Sequence, residues 1–114
     1  MVPGVTLNPA TPVAAIAEAA RYARNLLCMS VSPGWGGQAF IGATLERLPQ
    51  IRALAGAGVG VEVDGGIGPD TIVGVYEAGA NRLTAGSAIY RQPDPGQAYL
   101  DLVEQVRAAG ATIA

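Results

Sequence analysis

The sequence predicts an α/β fold built on a parallel sheet. Four short runs rich in β-formers or apolar residues (4–8, 26–31, 59–63 and 82–85) are each followed by turn residues and a helical pattern (12–24, 42–57, 71–78 and 95–109). That alternation favours parallel strands, because parallel neighbours need a crossover connection and a helix supplies it. The third and fourth runs are apolar or small apart from Glu62, Arg82 and Thr84, as expected of strands covered on both faces. At 114 residues the chain reads as one domain, 1–114, with no linker or low-complexity tract.

The elements follow from local chemistry. The first helical stretch is alanine-rich, with Ile16 and Tyr22 as its weak apolar stripe. Pro49 falls inside the second, so the expectation there is a short helix up to Leu48 and a separate piece from Pro49. Asp70 before Thr71 and Gly79 after Ala78 bracket the third as cap and stop. Asp94 caps the last helix, with Pro95 at its first position and Gln97 three residues on from Asp94, and Tyr99, Leu102, Val103 and Val106 form its apolar stripe.

Composition excludes several chemistries. Seven arginines stand against nine acids with neither lysine nor histidine, so there is no Schiff-base amine, no Walker lysine, no imidazole base and no His-ligated metal. A net charge of -2 with scattered arginines gives no footprint for nucleic acid or an anionic membrane. No apolar run approaches the roughly 20 residues of a membrane span, and the start of the chain lacks a signal peptide's charged region, so a cytoplasmic protein is expected. Cys28, the lone cysteine, lies in the apolar run Leu26-Leu27-Cys28-Met29 and reads as core.

The informative residues follow the strand ends: Ser32-Pro33-Gly34-Trp35-Gly36-Gly37-Gln38, Asp64-Gly65-Gly66 and Gly86-Ser87. In parallel α/β folds ligands bind at the C-terminal edge, where glycine lets the backbone approach an anion and helix N-termini hold phosphate without a cationic side chain. Asp64 reads either as a turn-forming Asx residue or as an acid/base carboxylate or metal ligand at the mouth. Trp35 either covers the top of the sheet or contacts a ligand.

Four motifs, LNPATP (7–12), MSVSPGWGGQAF (29–40), VEVDGGI (61–67) and AGSAIY (85–90), resemble ribulose-phosphate 3-epimerase in order and spacing across nearly the whole chain. The resemblance implies a TIM (β/α)8 barrel that interconverts D-ribulose 5-phosphate and D-xylulose 5-phosphate in the pentose phosphate pathway. It covers only the C-terminal half, so the expected fold is a (β/α)4 half-barrel whose first strand takes the place of the barrel's fifth. By the same resemblance, Gly34, Trp35, Gly36 and Gly37 form the substrate loop, with Trp35 where the family usually has Phe. Gly65, Gly66, Gly86 and Ser87 bind phosphate, and Met29 lines the reacting part of the pocket. The resemblance also implies that Asp64 is catalytic and, in the family's complete site, a divalent-metal ligand. The family's second aspartate, two metal-binding histidines and a substrate-orienting serine come from the other half. The expectation is therefore an isomerase relative that binds a sugar phosphate or inorganic phosphate, holds no metal by itself and turns over at most in traces as a lone chain. The alternative is a non-catalytic phosphate-binding or structural half-barrel. Two edge strands and an apolar inner face left uncovered lead to an expected partner: a second copy in a homodimer or higher homo-oligomer, or a complementary N-terminal half. A two-fold dimer would set two Asp64 carboxylates about half a turn apart, too far for both to approach one carbon to roughly 3 Å.

Overall fold

A computed structural model describes residues 1–32, 34 and 38–113. Its centre is a four-stranded sheet in the order β1 (Gly4–Leu7), β2 (Asn25–Met29), β3 (Gly60–Asp64), β4 (Arg82–Thr84), every pair parallel. Sequential order with all-parallel pairing is what one helical crossover per step produces; it is the parallel sheet that the alternation predicts and the partial (β/α) barrel that the resemblance implies. Strand limits differ from the expected ones by at most two residues at an end. They stop where the neighbouring strand runs out, although Ser30 N–H still donates to the Asp64 carbonyl beyond β2.

Helices cover one face only. Leu26, Cys28, Val61 and Val63 are wholly buried and pack with Leu48, Ile51, Ile72, Val75, Leu102 and Val106. Strand alternation sends the intervening residues to the opposite face: Gly4 and Thr6, then Asn25, Leu27 and Met29, then Glu62 and Asp64, then Arg82 and Thr84. The expected apolar inner face is therefore corrected. It carries a polar network in which Asn25 Nδ2 donates to Glu62 Oε2 (2.8 Å), Thr84 Oγ1 to Glu62 Oε1 (2.9 Å) and Arg82 Nη1 to Asn25 Oδ1 (3.2 Å). Gly60 makes room for it, since a Cβ there would lie 2.5 Å from Asn25 Oδ1 and 2.8 Å from Arg82 Nε.

The helices depart from expectation in four places. The first stretch is helical only over a 3₁₀ turn (Val13–Ile16) and α1 (Ala17–Ala20). No side chain caps either piece, and Arg24 N–H is already committed to the Pro3 carbonyl alongside β1. α2 (Thr44–Leu54) passes through Pro49 unbroken. Proline costs a helix interior about 3 kcal/mol, but Leu48 and Ile51, fully buried on either side of it, each gain roughly 1.5–3 kcal/mol by staying in the core. Asp70 does not cap α3 (Ile72–Glu77). The N-cap is Thr71, whose hydroxyl instead accepts from Gly68 N–H (3.0 Å) and donates to the Gly66 carbonyl (2.9 Å). A short α4 (Ser87–Tyr90) precedes α5 (Pro95–Ala108). α5 has the cap read from its sequence, Gln97 N–H donating to Asp94 Oδ1 at 3.1 Å. Leu102 and Val106 are buried on its stripe, while Tyr99 stays half exposed. Gly79, at φ +123°, ends α3 as expected.

Candidate functional site

The strand register sets the site. Met29, Asp64 and Thr84 are level across β2, β3 and β4, at the C-terminal end of the open face. The chain then turns at Gly65 (φ +123°) and Gly66 (φ +70°). A Cβ on Gly65 would lie 2.6 Å from Val31 Cγ2 and 2.9 Å from Val31 N. On Gly66 it would lie 2.8 Å from the Cα, Cβ and N of Phe40. Buried Ser30 donates its hydroxyl to the Gly65 carbonyl and locks the turn from below. These glycines are demanded by close backbone approach as well as by φ.

Gly66 and Ser87 line one cavity of about 450 Å³ together with Gln38, Phe40, Asp70 and Arg91. Gly86 lies at the N-cap of α4 with open space where a Cβ would be. Sequence reasoning provided for an anion site without a cationic side chain and missed Arg91. The signal was present: Arg91 is four residues after Ser87, one helical turn on, and so on the same side of α4.

Asp64 ends β3, two residues before Gly66, which lines that cavity. Burial, and then the negative charge of Glu62, raise its carboxyl above the usual aspartate value. Glu62 was also missed as a group on the inner face, because the alternation of β3 puts it there with Asp64. It is no second acid/base at the mouth. It lies on the same strand and the same face, with its two oxygens engaged by Asn25 and Thr84. A raised pKa in the folded state means that the ionised carboxylate opposes folding: stability is intact below the unfolded-state pKa and falls as pH rises through the raised one. Asp64→Asn is accordingly expected to raise the melting temperature at pH 7, with the difference closing as pH falls through the carboxylate range; thermal melts across pH check this.

Of the other expected site residues, Met29 sits beside Asp64 on the same face, and Gly34 is exposed at φ +131° with no atom crowding it. Trp35, Gly36 and Gly37 lie outside the described residues. Cys28 is buried in the core; burial raises its thiol, with Arg47 partly opposing, which makes it a poor nucleophile. The donor set does not fit a divalent metal. The sequence has no histidine, and the described residues contain no cluster of three potential metal-binding side chains. No helix among the described residues is long and apolar enough to cross a membrane.

The chain matches the ribulose-phosphate 3 epimerase family over residues 1–90. It is 45% identical over 94 residues to the ribulose-phosphate 3-epimerase of Serratia marcescens, covering 80% of this chain and 45% of that one. It is 38% identical over 113 residues to ribulose-phosphate 3-epimerase 1 of Cupriavidus necator, covering 93% and 47%. To the chloroplastic ribulose-5-phosphate-3-epimerase of Arabidopsis thaliana it is 38% identical over 113 residues, covering 96% and 40%. The chain spans about half the length of the curated relatives it matches.

Proposed function

The chain belongs to the ribulose-phosphate 3-epimerase family, and on that premise we propose that these 114 residues form the phosphate-holding, one-carboxylate half of a cytoplasmic sugar-phosphate epimerase site. The observation that carries the reading is the cavity shared by Gly66, Ser87 and Arg91, joined through the Gly65-Gly66 turn to Asp64, whose carboxyl is raised. A phosphate there meets amides of the Gly65-Gly66 and Gly86-Ser87 turns and the Arg91 guanidinium. The ketose then extends toward Met29 and Asp64.

Asp64 takes the C3 proton from one face. The C3–H bond breaks, the proton goes to the carboxylate, and its electron pair becomes the enediolate. Raised basicity suits Asp64 to that task. Return of a proton to the opposite face needs a second group, and Glu62, on Asp64's own strand and face, does not supply it. The family's divalent metal would stabilise the enediolate charge, but the residues present do not fit one.

Calorimetric titration with inorganic phosphate tests the binding half. Saturable binding is expected, weakened at least about tenfold by Gly86→Val, a loss of about 1.4 kcal/mol. A Cβ at Gly86 meets no atom within 4 Å, so the variant is expected to fold, which its thermal melt checks. No heat from the folded wild-type chain, or unchanged binding in the variant, contradicts the assignment.

A further inference from the structure

We infer that the cavity at the N-terminal ends of β2 and β3 binds a small anion with two or more phosphoryl groups, held by Arg21 and Arg24. The cavity measures about 610 Å³ and lies between the loop that enters β2 and the loop that enters β3. These are the two inner strands of the sheet and pair with each other, so both walls belong to this chain. Asp64 and the glycine turns lie at the other end of the same strands, on the order of 15 Å away along five residues.

Charge and burial point to the ligand. Arg21 and Arg24 are the charged residues lining the cavity, both are exposed, and no acid lines it. Arg24 is set in place by its backbone, whose N–H donates to the Pro3 carbonyl (2.8 Å) and whose carbonyl accepts from Gly60 N–H (2.9 Å). Arg21 meets Glu18 at 3.3 Å, with both side chains about two-thirds or more exposed, a screened contact that a phosphoryl group can replace. Tyr22, which the sequence places on the apolar stripe of the first helix, is instead 69% exposed and lines the cavity. The Arg21 guanidinium lies 5.8 Å from its ring centre, a cation–π contact that keeps Arg21 at the cavity. On the facing loop, the amides of Ala55, Val59 and Gly60 donate to backbone carbonyls. Those of Gly56 and Ala57, which line the cavity, have no acceptor among the described residues. The floor includes buried Ala23 and Val59, and an apolar floor strengthens the pull of a guanidinium on an anion. The C-terminal ends of α1 and α2 bring at most about half a negative charge each, which two guanidinia exceed. Because the two arginines are three residues apart, an anion with two phosphoryl groups engages both.

The test is titration of the wild-type chain with inorganic pyrophosphate, read residue by residue from amide chemical shifts. Saturable shifts are expected at Gly56 and Ala57. In the double variant Arg21→Gln, Arg24→Gln, affinity read at those amides is expected to fall at least about tenfold. Both changes are at exposed side chains, so its thermal melt should stay close to wild type. Arg24→Gln alone is expected to fall between the two. The absence of saturable shifts at Gly56 and Ala57 in the millimolar range overturns the inference. So do shifts that the double variant keeps, or that sodium chloride at equal ionic strength reproduces, which is a general salt response. Shifts at Gly66 and Gly86 in the same spectra report on the proposed phosphate site at the mouth, so either site can fail while the other stands.

Discussion

Gly66→Ala is expected to destabilise the chain by about 3 kcal/mol or more and to abolish phosphate binding. The backbone is at φ +70°, where a side chain costs roughly 1–2 kcal/mol. Its Cβ would also lie 2.8 Å from three atoms of Phe40, two of them main chain, so the 38–40 segment has to move rather than a side chain rotate. Gly66 and Phe40 both line the cavity proposed to hold phosphate, and the same displacement deforms it. Chemical denaturation and phosphate titration measure the two losses. Gly86→Ala is the control: with nothing within 4 Å of its Cβ, it should stay within about 0.5 kcal/mol of wild type.

The second large effect is expected at Arg47→Ala. The Arg47 guanidinium reaches from α2 to the loop after β1, donating to the Asn8 carbonyl (3.1 Å), the Pro9 carbonyl (3.0 Å) and the Thr11 carbonyl. A hydrogen bond to a charged group contributes about 1.5–3 kcal/mol, and the three share one donor group, so a loss of about 2–3 kcal/mol is expected rather than a threefold sum. Denaturant melts at fixed protein concentration read it. Arg47→Lys, with a point charge in place of a fork, should recover only part.

The sequence shows what rests on local chemistry or period. Strand and helix alternate as read, Asp94 caps α5, and Gly79 stops α3, because each is decided within a few residues. Tertiary packing decided the rest. Pro49 stays helical because Leu48 and Ile51 hold it to the core, and α1 is short because Arg24 is drawn to Pro3. The candidate site divides in the same way. The turns at Gly65 and Gly66 announce themselves by composition, whereas the Asn25–Glu62–Thr84 network joins residues on three strands, 37 and 22 positions apart. Arg91 went unread for a simpler reason: without the four-residue α4 there was no helix face on which to place it.

Solvent deuterium exchange at C3 of ribulose 5-phosphate, followed by NMR with the 114-residue chain, tests the one-carboxylate site most directly. Asp64 removes and returns the proton on one face, so slow deuteration with retained configuration is expected, with no more than traces of xylulose 5-phosphate and no exchange in Asp64→Asn. Xylulose 5-phosphate formed as fast as deuterium enters, and lost with Asp64, would show that these residues command both faces of the substrate and would contradict the account.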